Sequence, residues 1–375
     1  MSLVVGVVGG GQLARMMIPA AVALGIELRV LAESEGASAR LAATAVGDYR
    51  DLDTVRAFAE GVDVITFDHE HVPQAVLREL VSLGVNVQPN PDALLYAQDK
   101  LLMRERLSGL GLPVPDWAPV DTEQQLQDFL GDHDGRAVVK TPRGGYDGKG
   151  VRVVSAAGDV ADWLTGETLL VEELVPFRRE LAQLVARRPS GEIMAWPLVE
   201  SIQRDGVCAE VIAPAPSSAG RLADRAGDIA HTIADRLGVT GVLAVELFET
   251  TDDRLLVNEL AMRPHNTGHW SIDGSRTSQF EQHLRAVLDL PLGWTGCHEP
   301  WSVMVNVLGG PEAGSVADRY PAMFAEQPMV KVHEYGKSFR PGRKVGHVTA
   351  IGDDLDEVVW QARSAAALLG SGITR

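Results

Sequence analysis

Hydrophobic and polar positions alternate along this chain in a way that marks its elements one by one. Leu3 to Val8 is an unbroken apolar run that stops at Gly9-Gly10-Gly11, and Gln12 to Leu24 then carries a helical pattern. Ile26 to Ala32 and Val62 to Phe67 read as further strands, with a helical stretch between them. Strand, glycine turn, helix, strand is the signature of a parallel α/β half. Asp99-Lys100 opens a helix that closes near Gly109-Leu110-Gly111, and Pro113-Val114-Pro115 follows as a linker. Ala137 to Lys140 and Val151 to Val154 predict two short strands, and Leu169 to Val175 another. Trp301 to Leu308, Lys331 to Tyr335 and His347 to Ile351 read as a β-rich tail, and a helix begins at Asp354.

One stretch breaks the pattern informatively. Val242 to Phe248 and Leu255 to Leu260 are apolar and β-prone, each interrupted by one glutamate, and the polar run Glu249 to Arg254 between them reads as a turn. With the hairpin centred on Asp252-Asp253, Glu246 falls opposite Glu259. Directly opposed side chains lie roughly 4.5–5.5 Å apart at Cβ, where like charges repel. Two carboxylates so placed in an apolar hairpin need a cation between them or a shared proton, and magnesium with a nucleotide phosphate suits such a pair. The stretch Thr141-Pro-Arg-Gly-Gly-Tyr-Asp-Gly-Lys-Gly150 lies between two strands and combines four glycines with two cations. Such a loop brings backbone N–H groups close to phosphate oxygens while the cations offset their charge. It lacks the GxxxxGK[ST] spacing of a P-loop.

Bulk properties narrow the partners. The chain has 375 residues, enough for two or three domains. Its net charge of −17 argues against nucleic acid, though not against a phosphorylated small molecule met by a local basic cluster. Cys208 and Cys297 allow no disulfide framework and fit a reducing, cytoplasmic setting. The opening MSLVVGVVGGGQLARM has no basic stretch before its apolar run, so a signal peptide is not expected, and no run reaches the roughly 18 apolar residues of a membrane span.

Gly9-x-Gly11-x-x-Ala14 with Glu33 at the end of the next strand matches the dinucleotide fingerprint. That match is weak alone, because any tight strand-to-helix turn favours glycine; an anion such as a substrate phosphate at the helix N-terminus is the preferred use. After the later strand, Asp68-His69-Glu70-His71 offers Glu70 as a substrate contact, and His69 with His71 points only faintly to a metal.

Taken together, the glycine loop, the Glu172-Glu173-Leu174-Val175 strand and the Glu246/Glu259 hairpin resemble the ATP-grasp superfamily. GGGQLARM, GGYDGKG, ELAMRPHNTGHW and RPGRKVGH, spread over residues 6 to 347, are similar to the 5-(carboxyamino)imidazole ribonucleotide synthase family within it. The resemblance implies a Rossmann-like N-terminal domain (1–95), an ATP-grasp domain (96–295) and a small β-rich C-terminal domain (296–375). It implies an ATP- and bicarbonate-dependent carboxylation of aminoimidazole ribonucleotide in purine synthesis, with magnesium, in a cytoplasmic homodimer. By position, Lys100 and Lys140 would contact ATP phosphates under a loop containing Gly145, Gly148, Lys149 and Gly150. Backbone groups of Glu173 to Val175 would read adenine and Glu180 the ribose, with Glu172 also among the nucleotide contacts and Gln203 nearby. Glu246 and Glu259, helped by Asn258, would hold magnesium. Tyr146, Asp147, Arg263, His265 and Asn266 would line the reacting centre. Gln12, Glu70, Lys337, Arg340, Arg343 and Lys344 would meet the ribonucleotide. Gln203 stands where many relatives carry histidine, and Asp68-His69-Glu70-His71 departs from their usual acidic–aromatic–Asn pattern. A nicotinamide oxidoreductase using Gly9 to Ala14, a formate-dependent ribonucleotide formylase and a silent ATP-binding regulator are the competing readings.

Overall fold

The computed structural model describes residues 2–145, 149–311 and 314–370; Tyr146, Asp147 and Gly148 lie outside them. Four parallel strands form the N-terminal sheet, in the spatial order Ala43–Val46, Glu27–Ala32, Val4–Val8, Val64–Phe67. The helix Gln12–Leu24 follows the first strand as expected and ends on Gly25, whose φ of 66° suits a left-handed C-terminal turn. The strand Ala43–Val46 escaped the sequence reading because its residues alternate between half-buried and exposed, with no continuous apolar run.

A second, antiparallel sheet joins Trp117–Val120, Leu169–Glu173, Ala137–Lys140 and Val151–Val154 in that order. The third and largest sheet is also antiparallel. From one edge it runs Leu255–Ala261, Gly241–Thr250, Phe177–Arg187, Val199–Arg204, Val207–Ala213, Trp301–Leu308, Lys344–Gly352 and Lys331–Glu334. The C-terminal strands therefore continue the central sheet through the pairing of Val207–Ala213 with Trp301–Leu308. Sequence could not show that, because it depends on which sheet edge is left open.

The functional hairpin has the expected register, with Glu246 opposite Glu259. Beyond that pair a bulge leaves Asn258 unmatched, so Leu247 faces Val257. The turn is shorter than expected: the strand continues to Thr250, and Glu249 is buried inside it against Arg179. One apolar core runs from the N-terminal domain, through Leu77, Leu80 and Leu94, to Ile233 of the helix Arg221–Arg236 and to Leu243 and Leu260 of the central sheet. That shared core fixes the glycine turn of the first sheet against the mouth of the central one. Among the described residues, no helix is long and apolar enough to cross a membrane.

Candidate active site

A cleft of about 1610 Å³ opens where the three sheets meet. Its floor is the outer face of the Glu246 hairpin. Glu180 lies directly across from Phe248 on the neighbouring strand, two residues along from Glu246, so strand alternation puts Glu180, Glu246 and Glu259 on one face. Burial, reinforced by Glu259 and then Glu180, pushes the Glu246 carboxyl up to about 8. Burial alone raises Glu180 to about 7. Lys100 Nζ lies 3.0 Å from Glu259 and His265 Nε2 lies 3.4 Å from Glu246. Among the described residues, no group of three or more His, Cys, Asp or Glu side chains is arranged to hold an ion. A cation here therefore needs oxygens from a bound phosphate. The donor set fits magnesium: hard carboxylate oxygens, one of them retaining a proton when no cation is present.

A buried charge network holds the lysines. Lys140 Nζ sits 2.6 Å from Glu172 and donates to Asn258 Oδ1 at 3.1 Å. Glu172 also pairs with Arg104, which is fully buried and donates to the carbonyls of Val257 (2.9 Å) and Asn258 (2.6 Å). Burial works to raise the Glu172 carboxyl, but Arg104 and Lys140 outweigh it and hold the carboxyl below its ordinary value. Glu172, expected among the nucleotide contacts, borders the cleft, and its two oxygens are paired with these two cations. Arg104 went unnoticed in sequence, where it is one more charge on an amphipathic helix. Its only signal would have been a buried position on that helix, Lys100–Gly109.

Asp99 caps that helix through Leu101 N–H and Leu102 N–H, and it also accepts from Arg143 at 2.9 Å. The stem of the glycine loop is thus tied to the helix start that carries Lys100. Gly145 and Lys149 border the cleft. Gly150 closes the loop at φ 69°, and a side chain at Gly145 would collide with the Lys149 carbonyl, so the loop needs both glycines. Glu173, Leu174 and Val175 line an apolar end with Phe177 and Phe248, whose rings stack at 4.8 Å. Gln203 borders the same end and donates to Ser201 Oγ at 3.0 Å.

The opposite end is basic. Lys337, Arg340, Arg343 and Lys344 border the cleft beside Gly11 and Gln12, and Lys337 donates to Gln12 Oε1 at 2.6 Å. Arg263 pairs with Glu70 at 2.8 Å, and Glu70 also accepts the Met262 N–H at 3.0 Å. Glu70, expected as a substrate contact, borders the cleft with its carboxylate engaged in orienting Arg263. His265 is pushed well below its ordinary pKa by burial and then by Arg263 and Lys344, so its ring is neutral. Its Nδ1 meets Thr267 Oγ1 at 2.8 Å, and Asn266 is buried next to it.

The dinucleotide reading fails on geometry. Glu33, although exposed, accepts the Gly10 N–H at 3.1 Å and lies 3.4 Å from His69, so its carboxylate is already engaged. Asp68 accepts the Ala14 N–H at 2.7 Å, with its carboxylate packed against Gly11 where a pyrophosphate would have to sit. His69 is engaged with Glu33 and Tyr49, and its ring stacks on His71 at 5.2 Å. A shared metal is not their arrangement.

Three family models match consecutive parts of the chain: the ribonucleotide synthetase preATP-grasp domain at residues 2–98, the ATP-grasp domain at 105–280, and the phosphoribosylaminoimidazole carboxylase C-terminal domain at 302–361. N5-carboxyaminoimidazole ribonucleotide synthase of Mycobacterium tuberculosis is 53% identical over 377 residues, covering 98% of this chain and 88% of that protein. The Thermus thermophilus synthetase superimposes with a TM-score of 0.89 at 36% identity over 99% of both chains. The synthase of Aspergillus clavatus, solved with ADP and 5-aminoimidazole ribonucleotide, gives 0.88 at 30% identity over 98% of both. This chain belongs to the N5-carboxyaminoimidazole ribonucleotide synthase family of ATP-grasp ligases.

Proposed function

We propose that this protein carboxylates the amine of 5-aminoimidazole ribonucleotide with bicarbonate while cleaving ATP to ADP and phosphate. One observation carries the reading: the opposed Glu246–Glu259 pair lies between the buried lysines on one side and the basic Lys337 to Lys344 face on the other. Bicarbonate is a poor electrophile and is first phosphorylated to carboxyphosphate, a step that depends on positioning and charge neutralisation more than on a protein nucleophile. Lys100 and Lys140 suit the phosphates, with Lys140 pre-set by Glu172 and Arg104. The apolar end at Glu173, Leu174 and Val175 suits adenine, with Glu180 beside the ribose. Glu246 and Glu259, with Asn258, would hold magnesium, which would neutralise charge on the transferring phosphoryl group.

Gln12 with Lys337, Arg340, Arg343 and Lys344 would clamp the ribonucleotide phosphate at the helix N-terminus. Arg263 would face the carboxyl donor, held in line by Glu70. Neutral His265 is able to take a proton from the acceptor amine and competes for that role with Asp147. On this reading residues 1–95 and 296–375 share the ribonucleotide and 96–295 hold ATP, in a cytoplasmic homodimer. The test is ADP release from ATP and magnesium, with and without aminoimidazole ribonucleotide, in bicarbonate and in bicarbonate-free buffer. Release that needs both supports the reading. Stimulation by formate in place of bicarbonate would move it to formyl transfer, and sedimentation would give the dimer.

A further inference from the structure

Gln12 and Lys337, 325 residues apart in the chain, meet at the basic end of the cleft. Gln12 opens the helix Gln12–Leu24. Arg15 follows roughly one helical turn later, on the same side of that helix. Its guanidinium is turned to the strand Lys331–Glu334, whose end leads directly to Lys337. Arg15 Nε donates to the Glu334 carbonyl at 2.9 Å and Nη1 to the Ser38 carbonyl at 3.0 Å, while Nη2 lies 3.5 Å from the Glu334 carboxylate.

From Glu334 to Lys337 every residue is held. The Glu334 carboxylate accepts the Gly336 N–H at 2.7 Å. The Tyr335 carbonyl accepts from Ser38 Oγ at 2.5 Å, and the Tyr335 N–H donates to the Val345 carbonyl at 2.9 Å. Tyr335 is fully buried and belongs to the same apolar cluster as Leu13 and Met17 of the first helix. Gly336 turns the chain at φ 66°, a conformation that favours glycine, and a Cβ there would lie 3.2 Å from Arg15 Nη1. After that turn Lys337 Nζ stands over the Tyr335 ring, 5.6 Å from its centre, and donates to Gln12.

Strand pairing alone does not account for these contacts. Lys331–Glu334 is an edge strand, paired with Lys344–Gly352, and its ladder runs to Glu334 opposite Gly346. The sheet therefore fixes the chain up to Glu334, and the segment beyond it takes its direction from Arg15 and Ser38. A lysine stem is long and rotatable, so its ammonium is aimed only as well as the backbone beneath it is fixed. The planar guanidinium of Arg15 is suited to that task, because its N–H groups reach two carbonyls and a carboxylate in one rigid fork.

We infer that Arg15 is a positioning residue for the ribonucleotide: it fixes Glu334 and Gly336 against the helix that carries Gln12, and so aims Lys337 at the substrate phosphate. Ser38 supports it from the Tyr335 carbonyl. The inference rests on the carboxylation reading, in which Gln12 and Lys337 meet that phosphate. Arg15 acts through Lys337 and takes no part in the chemistry, so its effect falls on ribonucleotide binding and spares ATP.

The test measures kcat, KM for aminoimidazole ribonucleotide, KM for ATP and melting temperature in Arg15→Met, Arg15→Lys and Ser38→Ala. Arg15→Met is also made in a Lys337→Met background. The expected result is a ribonucleotide KM about three- to tenfold higher in both Arg15 variants, with kcat and the KM for ATP at their wild-type values. Arg15→Lys keeps the charge and loses the fork, so it separates alignment from the field of one more cation. Because Arg15 works through Lys337, the double variant should bind no more weakly than the weaker single one. A wild-type KM in Arg15→Lys, parallel rises in both KM values, or additive effects of Arg15→Met and Lys337→Met would each overturn the inference. If Arg15→Met melts early, Ser38→Ala decides, and an unchanged ribonucleotide KM there overturns it. Absence of ribonucleotide-stimulated turnover in wild type would sink the carboxylation reading, and this inference with it, before any variant is compared.

Discussion

Glu246→Gln should make the metal-free, nucleotide-free protein more stable at neutral pH while abolishing its magnesium-dependent turnover. In the folded protein the Glu246 carboxyl is raised from 4.5 to about 8 by burial and by Glu259 and Glu180. A raised folded pKa means that the native state holds its proton more tightly than the unfolded chain does. The associated stability is complete below pH 4.5 and is lost as pH rises through about 8. The slope is about 1.4 kcal/mol per pH unit, so up to roughly 3 kcal/mol is lost by pH 7 as the unfolded chain's carboxyl ionises while the native one keeps its proton. That figure is an upper one, because 24% of the side chain meets solvent. Glutamine has nearly the same shape and no proton to lose. Melting temperatures of wild type and variant, measured in chelator from pH 5 to 8.5, should coincide at the acid end and separate with rising pH, the variant melting a few degrees higher near pH 8. Magnesium with ATP should then stabilise wild type and leave the variant unmoved. A difference that is flat across pH, or a glutamine variant less stable at pH 8, would refute the account of two like charges confronted in a buried hairpin.

Four further substitutions test neighbouring claims. Glu172→Gln leaves fully buried Arg104 without its countercharge, so a loss of about 3–5 kcal/mol is expected, with weaker ATP binding as Lys140 comes free; calorimetric melting and nucleotide titration check it. Lys337→Met should raise KM for the ribonucleotide severalfold with KM for ATP unchanged, and equal effects on both would remove Lys337 from the phosphate end. His283, buried between Thr66 and the Val242 N–H, has its pKa lowered to about 3 by burial. Its contribution is present above pH 6.5 and is lost as pH falls toward 3, so His283→Gln should flatten the acid side of the melting-temperature profile. Gly241→Ala should destabilise strongly, since its φ is 95° and a methyl group would meet the His283 ring at 2.8 Å; a melting temperature equal to wild type would contradict that.

Much of this protein is written locally in its sequence. The run from Val4 to Leu24 reads as strand, glycine turn and helix because period and punctuation are short-range properties. Counting outward from one turn pairs Glu246 with Glu259, although the pairs nearer the turn run one residue off that count and the bulge at Asn258 restores it, and the glycine loop is legible because backbone freedom and cations are adjacent in the chain. The motif resemblance reached the family for a related reason: residues that touch the same small molecules keep their local spacing. What the tertiary structure decided are the assignments that depend on distant partners. Nothing local to Glu172 shows that its carboxylate pairs with Arg104, 68 residues earlier. Glu70 reads in sequence as a substrate contact, and only the fold shows Arg263, 193 residues later, against its carboxylate. Glu33 fitted a ribose until its carboxylate proved to be turned onto Gly10. Lys337 reaches Gln12 across 325 residues, and the C-terminal strands complete a sheet begun in the central domain. A charged side chain is specified in sequence only as a charge. Whether it meets substrate or another side chain depends on which opposite charge folding brings within about 3 Å, where burial makes that pairing decisive.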